Sequence, residues 1–443
     1  AVAAPVVMVS DTFQGGCACE NAAGLRLGTD NVEFAALAAP RPLQLVGASG
    51  DWTARTRTRA YPAIREVYRL VGAPDRVTAA VFDFPHNYNQ TSRNAVYAFL
   101  APWLLGRAAP AETAEGEQVP ETPEDLRIFT DEHPAPTGAR TPERLEIDLV
   151  AARRRQLDGL APRDDSARWA AARDLLGASL RVRVGLVNPP PAELTGREVR
   201  RVRRDGLTIV HQRIGRATTG EQIPVVVLEP DRPSGRLTVI QADRGKAGLV
   251  TPRGRPTPLV RALLARGQTV VGFDPLLVGE SFDPEAPAAR RPETVHFETY
   301  NPSLAADRIG DLATVVAWAR GRPGVLTVNL VGVGRSAALA LLARPALEGV
   351  GRTAVDLDGF DHGDGSNAIE PGLDLPGVLQ FGGLEAAAAL AAPAPLRIAR
   401  AAADFDASWP AAAYALADAA AQFRLDADTP EPTDIAAWLD TGE

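Results

Sequence analysis

Two stretches of sequence decide the fold of the first hundred residues: RPLQLVGASGDWT at residues 41–53 and VTAAVFDFPHNYN at residues 77–89. Each starts as a nearly continuous apolar run, which is typical of a strand buried on both faces of a parallel sheet. Between them, apolar residues recur at helical spacing over residues 61–71, so a crossover helix is expected there. The pattern predicts two adjacent parallel strands, with Asp51 and His86 just beyond their carboxyl ends.

The wider chain is predicted to contain two α/β sheets. The apolar run AVAAPVVMVS at residues 1–10 predicts another strand, so residues 1–106 are interpreted as the last three strands of a sheet whose first part is missing. Residues 107–195 begin with a linker rich in Pro, Glu, Thr and Ala and continue with two amphipathic helical patterns. Residues 196–443 predict a second, complete α/β domain, with a helix at about 305–320. Its predicted strands are LTIVHQRI, IPVVVLEP, RLTVIQAD, QTVVGFDP, LTVNLVGVG, TAVDLDGF and LRIARAAA.

The composition argues against several classes of protein. With 443 residues, 45% of them hydrophobic and 23% charged, the chain is long and apolar enough for two or three folded domains. A net charge of −8 opposes binding to nucleic acid or an anionic bilayer. The longest charge-free apolar run is about half of the roughly 20 residues that a membrane helix needs. Cys17 and Cys19 are too few for a disulfide framework and poorly spaced for a metal, so a structural role is expected.

Asp51 and His86 are the candidate catalytic residues. In serine hydrolases the imidazole takes a proton from the nucleophile, while a carboxylate fixes the tautomer of the imidazole and stabilises the imidazolium. A single aspartate after a strand is often a helix cap, and a single histidine often packs structurally. Their joint placement on adjacent strand ends favours a catalytic pair, and their side chains are predicted to lie within hydrogen-bonding distance.

These residues belong to segments that resemble the C-terminal third of the acetyl-xylan-esterase-like α/β-hydrolases. The segments are GGCACENAAGLRLGTDNVEFAALAAPRP (15–42), GASGDWT (47–53) and FDFPHNYNQTSRNAVYAFLAPWLLG (82–106). The resemblance implies that Asp51 is the triad acid and His86 the general base. It also implies hydrolysis of an acyl ester, with acetylated polysaccharide as substrate class, no metal or organic cofactor, and a secreted or periplasmic location. The serine and the oxyanion hole would then lie on a partner segment upstream of Ala1.

A second motif lies in VLTVNLVGVGRSAALALL at residues 325–342, which predicts a strand, a tight turn and a helix. A serine-hydrolase elbow requires G-x-S-x-G, whereas these positions are held by Gly332, Val333, Gly334, Arg335 and Ser336. Glycine occupies the place of the nucleophile, and Ser336, two residues later, is interpreted as a helix cap. The second domain is therefore predicted to be hydrolase-like but non-catalytic.

Two other functions remain open from the sequence. Gly332, Gly334 and Ala337 match G-x-G-x-x-A, and Asp356 follows about 20 residues later, which is the spacing of a dinucleotide-binding oxidoreductase. The motif normally opens the first strand–helix unit of a domain, but here it follows a late strand. The other alternative is a scaffold or binding protein built from two inactive hydrolase domains.

Overall fold

A computed structural model describes residues 1–11, 21–106, 115–117, 119–163, 165–204, 206–284, 296–363 and 372–441. Cys17 and Cys19 lie outside the described residues. The chain forms two compact units, residues 1–140 and 141–443. The domain boundaries predicted near residues 106 and 195 stay predictions. None of the described helices combines the length and the apolar composition that crossing a bilayer requires.

The first unit contains a small parallel sheet flanked by helices, and its second strand is not buried on both faces as its apolar run predicts, because only its first residue, Val77, is buried. Strands β1 (Leu43–Gly50) and β2 (Val77–Pro85) pair in parallel, as predicted. The helices are α1 (Asn31–Ala36), α2 (Tyr61–Leu70) and α3 (Gln90–Leu105). Helix α2 is the predicted crossover between the strands, and its buried Ile64 and Tyr68 join the core of this unit.

The N-terminal segment forms less of a strand than its apolar run predicts. It meets β1 at two isolated parallel bridges only, Ala3 to Leu43 and Val6 to Val46. Pro5 has no N–H to donate to a ladder, and Val7 has a φ of 50°, outside the extended region. The segment still pairs with β1 on the side opposite β2, so β1 is the central strand.

The second unit is built on a nine-stranded sheet in the order β3-β4-β5-β7-β6-β8-β9-β10-β11. The pairs from β3 to β7 are antiparallel, and those from β7 to β11 are parallel. All seven predicted strands are present, and the predicted α/β class with a large, mostly parallel sheet is confirmed. The prediction of wholly parallel pairing is wrong for this unit, because β5 pairs antiparallel with both of its neighbours. The strands are β3 (Leu194–Arg204), β4 (Leu207–Arg216), β5 (Ile223–Pro230), β6 (Arg236–Ala242), β7 (Thr269–Phe273), β8 (Thr327–Val333), β9 (Val350–Asp356), β10 (Leu396–Ala399) and β11 (Phe423–Asp426).

Helices cover both faces of this sheet. Buried side chains of α5, α8, α9, α10 and α11 form one core cluster with the sheet, and those of α6 and α12 form a second cluster. The helices of this unit are α4 (Pro142–Asp158), α5 (Ser166–Val184), α6 (Pro258–Ala265), α7 (Phe297–Tyr300), α8 (Leu304–Arg320), α9 (Ala337–Ala343), α10 (Gly383–Leu390), α11 (Ser408–Leu416) and α12 (Pro432–Asp440).

The strand order places a topological switch point beside β6. From β6 the chain crosses to β7 on one side and then returns to β8 on the other. Open α/β sheets bind ligands outside the carboxyl ends of the strands at such a point. The residues that follow β6 and β8, among them Asp243 and Gly334, therefore occupy the place where a ligand site is expected.

Candidate active site

The carboxylate of Asp51 is buried and held at the end of β1. Its side chain is 2% exposed. Its Oδ1 accepts hydrogen bonds from the backbone N–H of Thr53 at 2.6 Å and from the Thr53 hydroxyl at 2.5 Å. The Thr53 hydroxyl in turn accepts the backbone N–H of Ala48 at 2.9 Å. One carboxylate oxygen is thus fixed by the turn that follows the strand, and Oδ2 is left to face His86.

His86 follows β2 and meets this carboxylate. Its Nδ1 lies 3.1 Å from Oδ2 of Asp51, so the structure brings together the two side chains that the strand ends predict to be neighbours. The imidazole is half exposed. The approach is close because Gly50 has no side chain: a Cβ there would lie 2.9 Å from the carbonyl oxygen of Phe84 in β2. A buried acceptor and a half-exposed imidazole form a pair that can move a proton to or from a bound molecule.

Trp52 packs against the imidazole face. The ring centroids of Trp52 and His86 are 4.5 Å apart, with an interplanar angle of 36°. The Trp52 indole N–H donates to the carbonyl oxygen of Val7 at 3.1 Å, and the Ser10 hydroxyl donates to the Trp52 carbonyl oxygen at 2.7 Å. The N-terminal segment therefore fixes Trp52, which in turn restricts the rotation of His86.

In the second unit the elbow turn is filled by a carboxylate. Gly334 has a φ of +82°, and a Cβ built on it would collide with the carboxylate of Asp243. The same carboxylate accepts the backbone N–H of Ser336 at 2.7 Å and that of Arg335 at 3.3 Å. In serine hydrolases the N–H that follows the nucleophile belongs to the oxyanion hole. Here such donors are already paired with a side chain of the same unit.

Ser336 and the helix that follows the turn test the two interpretations of this motif, a helix cap and a dinucleotide site. Ser336 occupies the N-cap position of α9, as predicted, but its side chain makes no capping hydrogen bond. Its buried hydroxyl has no hydrogen-bond partner among the described residues. Helix α9 has seven residues, and Asp243 accepts the amides of Arg335 and Ser336 just before it, where the dinucleotide alternative needs a pyrophosphate.

A polar cluster near Asp356 lies at the carboxyl end of β9. Oδ1 of Asp356 accepts the Nε–H of Arg400 at 2.7 Å, and its Oδ2 accepts the Thr429 hydroxyl at 3.3 Å. Arg400 also pairs with Asp358, and these two carboxylates raise the pKa of its guanidinium. Asp356 is therefore a partner in a surface ion-pair network.

An acidic pair that the sequence patterns did not indicate lies beside a cavity of about 390 Å³. Asp311 of α8 accepts the backbone N–H of Leu276 at 2.7 Å and neighbours Glu221, which is paired with Arg216 at 2.8 Å. Burial, together with the charge of Glu221, raises the pKa of Asp311 to about 8. The i, i+4 spacing of Asp307 and Asp311 was the only signal in the sequence, and it also fits a solvated helix face.

Comparisons with known proteins return similar structures but no sequence match. No protein-family model matches the chain, and neither does any curated protein. One similar solved structure, from Bacteroides fragilis NCTC 9343 and assigned as an acetyl xylan esterase, is 14% identical, with a TM-score of 0.49 over 70% of this chain and 92% of the other. A methylesterase is 21% identical, with a TM-score of 0.45 over 64% and 65% of the two chains. A glucuronoyl esterase from Solibacter usitatus is 14% identical, with a TM-score of 0.43 over 63% and 95%.

These three similar structures are described as esterases, and one is assigned to the class that residues 15–106 resemble. All three TM-scores are below 0.5 and all three identities below 25%.

Proposed function

We propose that the first unit carries the acid and the base of a serine carboxylic-ester hydrolase, with Asp51 as the acid and His86 as the base. The observation that carries this proposal is the 3.1 Å contact between Nδ1 of His86 and the buried carboxylate of Asp51. The pair lies beyond the carboxyl ends of adjacent parallel strands, where such sheets build active sites. The substrate class that we propose is an acetylated polysaccharide.

The proposed mechanism assigns one role to each nitrogen of His86. A carboxylate only accepts hydrogen bonds, so Nδ1 donates its proton to Asp51 and Nε2 keeps its lone pair. Nε2 takes the proton of a serine hydroxyl as that oxygen attacks the ester carbonyl, and it then delivers the proton to the leaving alcohol. Water hydrolyses the acyl-enzyme by the same route. The serine and the oxyanion hole are proposed to lie on a segment upstream of Ala1.

The test is ester hydrolysis by the chain expressed together with the upstream segment. We expect p-nitrophenyl acetate turnover and acetate release from acetylated xylan, and a loss of about 10⁴-fold or more in kcat for Asp51→Asn and His86→Gln. Matched controls in the same unit are Asp83→Asn, at an exposed aspartate that accepts from Ser49, and His133→Gln, at an exposed histidine. Full activity of D51N and H86Q, or an equal loss in D83N and H133Q, contradicts the proposal.

The second unit receives no hydrolytic role in this proposal. A serine side chain has no room at Gly334 while Asp243 holds the amides of the turn, and Asp356 is engaged with Arg400. We expect Gly334→Ser alone to add no esterase activity to the chain. Measuring p-nitrophenyl acetate turnover in an H86Q background isolates any contribution of the second unit.

A further inference from the structure

An apolar cavity of about 210 Å³ lies in the second unit at the switch point of the sheet. It opens between α6, α12 and the ends of β6, β8 and β9, on the face opposite to α8 and α9. Its walls are aliphatic and include Ile240, Val260, Val331, Ala354 and Ile435. A cavity of about 150 Å³ lined by apolar side chains is known to hold benzene. The volume therefore fits one substituted ring.

The charges at the cavity rim are already matched. Asp356 is paired with Arg400 at 2.7 Å, and Arg397, which is 3% exposed, is paired with Asp426 at 2.5 Å. A charged ligand would find no unmatched opposite charge there, and its desolvation would not be offset. The ligand that this rim fits carries no net charge.

One acceptor at the rim remains available to a ligand. Oδ2 of Asp356 receives a single long hydrogen bond, from the Thr429 hydroxyl at 3.3 Å. A hydroxyl group on the ligand could donate to this oxygen, and hydrogen bonds to a charged acceptor are stronger than those between neutral groups. Val333, which is 37% exposed, and the exposed Thr429 line the cavity, so a small molecule can reach it from solvent.

We propose that this cavity is a binding site for an uncharged single-ring molecule that carries one hydroxyl group, a phenol or a cyclic alcohol. The ring lies against Ile240, Val260 and Val331, and the hydroxyl donates to Asp356. This site is separate from Asp51 and His86, and its existence does not depend on the proposed hydrolysis.

The experiment is isothermal titration calorimetry of the full chain with 4-ethylphenol at pH 7. We expect saturable binding to one site, about tenfold weaker binding of ethylbenzene, which lacks the hydroxyl, and no measurable binding of the anion 4-ethylbenzoate. Absence of saturable 4-ethylphenol binding overturns the proposal. Equal binding of 4-ethylbenzoate overturns the inference from the matched charges.

Two variants locate the site. Ala354→Leu fills the cavity from the strand, and Val333→Phe narrows it at the rim, where folding is least affected. Both are expected to lower 4-ethylphenol affinity at least tenfold. Ala178→Leu, the same kind of change at an exposed position of α5, is the control and is expected to bind as the wild type does. Wild-type affinity in V333F and in folded A354L would place the bound phenol elsewhere and overturn the assignment.

Discussion

Trp52 is held by the N-terminal segment and covers one face of His86, whose ring makes one side-chain hydrogen bond within the described parts of the chain, to Asp51. In the chain completed by the proposed upstream segment, Trp52→Ala is expected to lower kcat/KM by about 10- to 100-fold, because small displacements of a proposed proton-transfer group cost this much. Trp52→Phe keeps a ring and should retain most activity.

An independent readout is the low-field proton resonance of the His86 Nδ1–H, which needs no nucleophile. It should broaden in W52A and disappear in D51N. Trp103→Ala, at a half-exposed tryptophan of α3, is the matched control for the loss of an indole. An unchanged resonance in W52A would argue against a positioning role.

Gly334 and Asp243 are coupled through space. Gly334→Ala places a side chain at a φ of +82° and against the Asp243 carboxylate, so it is expected to lower the free energy of unfolding by about 1–3 kcal/mol. Urea denaturation of G334A, of Asp243→Ala and of the double variant forms a double-mutant cycle. The double variant should be more stable than the sum of the single losses predicts, because the collision is absent. Strict additivity would show that only the backbone angle matters.

Asp51 and His86 could be predicted from sequence because each directly follows an apolar run that forms a strand, and strand ends are where side chains of parallel sheets meet. Other partnerships could not be predicted in this way. Asp243 meets the amide of Ser336, 93 residues away, and Asp311 meets Glu221, 90 residues away, only after the sheet has brought their strands and helices together.

Among the elements, α8 is joined through Asp311 to the loop after β7 and to the β4–β5 turn. In the folded chain the pKa of Asp311 is raised to about 8, so the carboxyl keeps its proton until the pH approaches that value. In the unfolded chain it loses the proton near the ordinary aspartate pKa of 3.8. The contribution of this proton is therefore fully present below pH 3.8 and is lost as the pH rises to about 8.

Asp311→Asn removes that titration and keeps an acceptor for the Leu276 amide. The free energy of unfolding from urea denaturation should change less between pH 5 and pH 8 in D311N than in the wild type, by at least about 1.4 kcal/mol, the equivalent of one pKa unit. The exposed Asp434→Asn in α12 is the control. Parallel pH profiles for wild type and D311N would contradict the assignment.

Strands could be predicted where they are largely buried, because a buried strand needs a nearly continuous apolar run, as in IPVVVLEP of β5. Strand β3 was not predicted, because LTGREVRRVRR is mostly exposed and owes its extended form to pairing with β4 along its whole length. The opposite error occurred at residues 1–10, where an apolar run predicts a strand and Pro5 reduces it to two bridges. Pairing with β4 decided the first outcome, and the missing N–H of Pro5 decided the second.

The whole molecule consists of two compact units, so calorimetry is expected to show two unfolding transitions. Neighbouring leucines of α5 provide a test: Leu176 is 2% exposed and Leu175 is 56% exposed. Leu176→Ala should destabilise the second unit by about 2–5 kcal/mol and lower one transition only. Leu175→Ala should leave both in place. A single transition that L176A shifts as a whole would indicate that the units unfold together.

The filled turn at Gly334 also constrains how this protein could change over generations. A mutation that introduces serine there arrives in a space that Asp243 already occupies, so its first effect is a folding cost without any catalytic gain. Loss of the Asp243 carboxylate would have to come first.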